Sequence, residues 1–60
     1  MKPLTQQQFA NCKDKQKLFA IIDGNLYRGV YDVDHNLFIR KNDSYVFRFQ
    51  DCEKIFADGK

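Results

Sequence analysis

The chain is poor in the residue types that most chemistry needs: it has no tryptophan, one proline, one methionine, one histidine, one serine and one threonine. The single serine, Ser44, opens an expected strand and lies in no nucleophile motif. One histidine and two cysteines, Cys12 and Cys52, cannot supply the four closely spaced ligands of a structural zinc site. The glycines Gly24, Gly29 and Gly59 are isolated and match neither a phosphate-cradling loop nor a dinucleotide fingerprint. No cofactor and no metal is therefore expected. The longest unbroken apolar run, Leu18 to Ile22, is five residues, against the roughly 20 that span a membrane. The start, Met1-Lys2-Pro3-Leu4, runs into glutamines without an apolar leader. These features predict a cytoplasmic protein with no membrane association. In a reducing compartment the two cysteines are expected as free thiols, a Cys12–Cys52 disulfide being the alternative.

The sequence has sixty residues and a net charge of +2, from ten basic and eight acidic side chains. That length holds one domain, residues 1–60, and excludes a two-domain enzyme or a large cofactor-binding fold. Surface scaling gives roughly 4,000 Å² exposed when folded, so about 60% of the unfolded surface is buried. At about 25 cal/mol per Å² of apolar area and about 1.5 kcal/mol of ordering entropy per residue, gain and loss both come to about 90 kcal/mol. Such a chain leans on a staple, a metal or a partner. The balanced charge does not suit a protein held to nucleic acid by bulk electrostatics. The hydrophobic fraction of 43%, with six Phe and three Tyr, is that of a folded chain.

The local pattern predicts an α+β fold in which a short N-terminal helix, about residues 5–13, packs on an antiparallel meander. Thr5-Gln6-Gln7-Gln8 is a capping box, and Leu4 with Phe9 forms a hydrophobic staple around it. Strand-like runs follow at about 17–23, 26–33, 36–41 and 44–50, separated by Gly24-Asn25, Asp34-His35 and Asn42-Asp43. Seven of the eight acids are Asp, most of them at these breaks, which marks them as turn formers. The last segment, about 51–57, has Cys52, Ile55 and Phe56 at helical spacing and reads as a brief helix or a fifth strand.

Two-residue loops at each break set Ile22 against Tyr27, Ala20 against Gly29 and Leu18 against Tyr31. They also set Tyr31 against Phe38, Gly29 against Arg40, Phe38 against Phe47 and Arg40 against Tyr45. One face then collects Leu18, Ala20, Ile22, Tyr27, Tyr31, Phe38, Tyr45, Phe47 and Phe49, with the helix as its cover. The other carries Phe19, Ile21, Val30, Leu37, Ile39 and Val46, interspersed with Arg28, Lys41 and Arg48. A half-exposed antiparallel sheet normally alternates apolar inside with polar outside. Three arrangements explain two apolar faces: closure into a strongly coiled or SH3-like small barrel, cover by the last segment, or burial against a partner.

Asp34-His35 is the one sequential acid–base pair, and adjacent residues in a tight turn point apart, so a solvated histidine is expected in place of a catalytic one. The chain is thus expected not to be an enzyme. Apolar anchors accompanied by arginine have the composition of a protein interface, so Phe19, Arg28, Val30, Ile39, Lys41, Val46 and Arg48 are the candidate partner-binding residues. The expected function is steric occupation of a surface on a larger protein or protein complex, or on a second copy in a homodimer. Size and missing chemistry suit a phage- or mobile-element-encoded inhibitor of a host defence complex, of the anti-CRISPR or anti-restriction type. The alternative is a small nucleic-acid-binding protein whose Arg28, Lys41 and Arg48 contact phosphates from one sheet face.

Overall fold

The capping box predicted around Thr5 nucleates the only α-helix among the described residues, which in the computed structural model are 2–58; Met1 and Gly59 lie outside them. Thr5 is extended (φ −76°, ψ 167°). Its N–H donates to Gln8 Oε1 at 2.9 Å, and the Gln8 N–H donates to Thr5 Oγ1 at 3.1 Å, which satisfies two donors that a helix start leaves open. Helix α1 covers Gln6–Ala10 and ends at Asn11, three residues short of expectation. Beyond Ala10 no further apolar turn rewards continuation. The chain turns instead through Lys15, at φ 65°, and the Gln16 side chain accepts from the Lys13 N–H at 3.0 Å.

Five strands follow: β1 Lys17–Ile22, β2 Asn25–Asp32, β3 Leu37–Arg40, β4 Val46–Phe47 and β5 Lys54–Ala57. The β1–β2 turn is Asp23-Gly24, not Gly24-Asn25. Asp23 and Gly24 both have positive φ, 52° and 79°, as a tight hairpin turn with the sheet's own twist requires. Asn25 is thereby released to pair with Ile22. The register moves by two: Leu18 faces Gly29, Ala20 faces Tyr27 and Ile22 faces Asn25. An even slip keeps every side chain on its expected face. The later pairings follow the expected register, with Tyr31 against Phe38, Gly29 against Arg40 and Phe38 against Phe47. The connections are longer than two residues, however, and use Asn36 (φ 56°) and Ser44 (φ 61°) as left-handed positions. Ser44 is thus a turn residue, not the start of a strand.

Strand β4 is two residues long where 44–50 was expected, because the chain leaves the sheet at Arg48 and enters a 3-10 turn, Phe49–Asp51. The last segment resolves as a strand: β5 pairs antiparallel with β1, setting Phe19 against Phe56 and Ala20 against Ile55. It widens the sheet and does not cover a face. The order is β4-β3-β2-β1-β5, with β4 and β5 as unjoined edges. The sheet is therefore not a closed barrel, although extents of 25 × 24 × 23 Å show how far it coils. Residues 48–53 carry the chain from one edge to the other.

The core consists of Phe9, Leu18, Ala20, Ile22, Tyr31, Phe38 and Ile55. Phe9 meets Tyr31 edge to face at 4.8 Å between ring centres and lies 5.5 Å from Phe49, so α1 and the 3-10 turn both sit on this face. The Tyr31 hydroxyl donates to Asn36 Oδ1 at 2.5 Å and lies 3.4 Å from the Ala10 carbonyl oxygen. Four aromatics expected in the core are not fully enclosed. Tyr27, Phe47 and Phe49 are half-buried and Tyr45 is 62% exposed, because the short helix covers only part of the sheet. Total exposed area is 4344 Å², close to the scaling value for this length.

Candidate functional site

Alternation along the strands sends Lys17, Phe19 and Ile21 of β1 to the outer face, together with Leu26, Arg28 and Val30 of β2. Across the sheet the pairings form rows. Phe56, Phe19 and Arg28 make one, extended by Lys41, whose N–H donates to the Arg28 carbonyl at 2.9 Å. Lys17, Val30, Ile39 and Val46 make the next. With α1 and the 3-10 turn on the core face, no described element covers these rows. Leu26 and Val46 are 62% and 51% exposed, and Phe19, Val30, Leu37, Ile39 and Phe56 are half-buried.

A recess of about 270 Å³ opens where the two rows meet, lined by Lys17, Arg28, Gly29, Val30, Lys41 and Asp58. Three adjacent strands, or the residue just after one of them, each contribute a cation. Asp58 is held beside Lys17 by its N–H, which donates to the Lys17 carbonyl at 3.0 Å. The ion pairs among the described residues are His35–Asp32, Arg40–Asp43 and Arg48–Asp51; none involves Lys17, Arg28 or Lys41. The recess therefore carries three exposed cations against one carboxylate, Asp58, with an aliphatic side formed by Val30. The Arg28 guanidinium also lies 5.6 Å from the Phe19 ring centre, within cation–π range.

A second arginine organises the far end of the core face. Arg40 lies 4.6 Å from the Tyr27 ring centre, 5.0 Å from Phe47 and 5.7 Å from Tyr45. Its Nε and terminal nitrogen donate to the two Asp43 carboxylate oxygens at 3.0 and 2.7 Å. This bidentate bond raises the guanidinium pKa further and holds the Asp43 carboxyl below its ordinary range. The aromatic box is thus filled by the chain's own cation. Arg40 was not singled out from the sequence, although it shares the parity of Phe38 and stands opposite Tyr45, which was the available signal.

Both cysteines are free. Burial pushes the Cys52 thiol up to about 11, assisted by the nearby Asp51 carboxylate, and burial also raises Cys12. Neither environment favours the thiolate that nucleophilic chemistry uses. His35 Nδ1 lies 2.8 Å from Asp32 Oδ2, on a side chain 71% exposed. Among the described residues, no group of three or more His, Cys, Asp or Glu side chains could hold a metal ion. A second concavity, about 430 Å³, lies between Pro3–Leu4 and the connection leading into β5.

Of the seven residues proposed from sequence, Arg28, Val30 and Lys41 line the recess, Ile39 and Val46 continue its apolar row, and Phe19 flanks it through Arg28. Arg48 does not join them. It pairs with Asp51 at 3.3 Å across the 3-10 turn, because the chain has left the sheet there. Lys17 and Asp58 were missed. The expected register opposes Lys17 to Asp32, a compensating pair; the observed one sets Lys17 against Val30. No family model matches the chain, and comparison with curated proteins and with solved structures finds no match. Among the described residues, no helix is long and apolar enough to cross a membrane.

Proposed function

We propose that this chain is a small non-enzymatic protein-binding module whose working surface is the outer sheet face centred on Val30 and Ile39. The observation that carries the reading is the coincidence, on one face that no described element covers, of exposed or half-exposed apolar side chains with three cations that outnumber the one carboxylate beside them, Asp58. The apolar residues supply burial and the cations supply orientation and encounter rate. The partner is a larger protein with an apolar patch rimmed by acidic groups. A second copy suits the surface less well, since a twofold contact apposes the patch to its own copy and so sets two net-positive surfaces against each other. Occupation of a groove on a larger host complex, as by an inhibitor, is the mode of action this rigid face serves.

Nucleic acid is the weaker reading because the aromatics near the cations are already engaged. Arg28 lies over Phe19, and Arg40 occupies the box of Tyr27, Tyr45 and Phe47, which leaves these faces less free for base stacking. The test is affinity capture from the native host with the unmodified chain and with Val46→Glu, which alters an exposed side chain and spares the core. Lys13→Glu, on the helix side, is the control. The reading requires a protein retained by the unmodified chain and by Lys13→Glu but released by Val46→Glu. Equal retention by all three removes it.

A further inference from the structure

The geometry points to the recess between Lys17, Arg28 and Lys41 as a carboxylate subsite that takes an extended acidic–apolar segment of a protein partner, of the pattern Glu-x-Leu. This inference rests on the surface reading above and specifies its ligand. Residues two apart on one side of a strand are about 6.6–6.8 Å apart, and β2 presents Arg28 and Val30 at that spacing, cation then aliphatic. A segment in extended conformation presents Glu and Leu at the same spacing. Laid along β2, it sets its carboxylate between Arg28 and Lys41, which lie directly across from one another, and its Leu over Val30 and Ile39, which are paired.

The guanidinium of Arg28 can take a carboxylate in a two-bond fork, and Lys41 adds a point charge. Lys17 lies one row farther on, beside Val30, where it can reach a second acidic side chain or the segment's backbone carbonyls. The same arrangement disfavours a polyphosphate chain. Asp58 sits at the recess margin and repels an uninterrupted run of negative charge, whereas a segment alternating acid with aliphatic passes it. Val30 offers phosphates and sugars nothing, but offers a leucine side chain a place to bury.

The test uses the full chain, labelled with ¹⁵N, and three probes at one fixed ionic strength: an acetylated Glu-Leu repeat dodecapeptide, its Gln-Leu counterpart, and a dodecathymidylate oligonucleotide. The acidic peptide should give saturable shifts at the Gly29, Val30 and Lys41 amides, and the Gln-Leu peptide should bind at least about tenfold more weakly. Arg28→Glu with Lys41→Glu should abolish the response while leaving the remaining spectrum dispersed, since both side chains are exposed; Lys41→Gln, milder, should weaken it severalfold. Equal binding of the Glu and Gln peptides, or no saturable shift, overturns the inference. So does an oligonucleotide that binds the same amides more tightly than the acidic peptide, the mark of a phosphate site.

Capture from the host separates this failure from that of the broader reading. If Val46→Glu releases the partner and the double charge reversal retains it, the acidic-segment inference falls and the surface reading stands. If Val46→Glu also retains it, both fall.

Discussion

Replacing Gly29 by alanine tests how the sheet achieves its coil. Gly29 sits in β2 between Leu18 of β1 and Arg40 of β3. A Cβ built there meets the Ile39 carbonyl oxygen at well under contact distance, and the Phe38 ring at 2.5 and 2.6 Å. Neither obstacle is cheap to move. The carbonyl belongs to the neighbouring strand's backbone, and the Phe38 ring is fully buried. Overpacking a core by one carbon typically costs about 1–3 kcal/mol, and contacts this close place Gly29→Ala at the upper end. Removing a strand glycine returns roughly 0.5–1 kcal/mol of backbone entropy, leaving a net loss of about 2 kcal/mol. In a domain this small, each kcal/mol moves the melting temperature by about 4–8 °C, so the variant should melt about 8–16 °C lower. Thermal unfolding followed by circular dichroism reads this directly. A companion pair, Phe38→Leu alone and with Gly29→Ala, apportions the obstacle. If the ring dominates, the second substitution costs much less in the Phe38→Leu background; if the carbonyl dominates, it costs the same. An alanine variant as stable as the unmodified chain would refute the close approach of β2 and β3 on which the coil depends.

Four further outcomes follow from the same structure. Thr5→Ala removes one side of the capping box and should cost about 1 kcal/mol, read as a drop of several degrees in the melt, because α1 is only five residues long and carries the buried Phe9. Tyr31→Phe removes the donor to Asn36 Oδ1 and should cost roughly 0.5–1.5 kcal/mol, with faster amide exchange around Asn36 in hydrogen-exchange measurements. Stability should fall on the alkaline side: the folded Cys52 thiol holds its proton up to about 11, the unfolded chain releases it nearer 8.5, and native protein therefore binds more protons as pH rises between these values. Cys52→Ala should flatten that part of the denaturant midpoint against pH. On the acid side Asp43, held below its ordinary range by Arg40, contributes stability above the unfolded carboxyl value that is lost as pH falls through the folded one, and Arg40→Lys, which cannot form the fork, should shrink that acid-side loss.

Much of the fold was open to inspection from residues alone because the signals are local. A Thr-x-x-Gln box states where a helix begins, and Asp- and Asn-rich breaks state where strands stop, since both act through hydrogen bonds and φ values within a few residues. The parity of Leu18, Ala20 and Ile22 against Phe19 and Ile21 separated the two faces, and that survived even the misread first turn, because a slip of two preserves parity. The register itself was misread for a physical reason. Asp23-Gly24 and Gly24-Asn25 both suit a tight turn, and the observed one is accompanied by a contact no local pattern shows: Glu53 Oε2, 29 positions away, accepts from the Gly24 N–H at 3.2 Å.

The sequence by itself determined a capped helix, an antiparallel meander and two apolar sheet faces. It did so through propensities, turn chemistry and alternation, which need no distant partner. Only the tertiary structure decided how the scarce remaining residues are used. Segment 51–57, short and ambiguous, becomes an edge strand on β1 because the coil brings that edge within reach of residues 48–53. Arg48 leaves the outer face because the same crossing begins there. Lys17 comes to stand beside Arg28 and Lys41 because the hairpin turns one residue earlier than its sequence suggests. The concentration of net positive charge on an apolar face that no described element covers is therefore a product of register and coil, two properties set by contacts across the whole sheet.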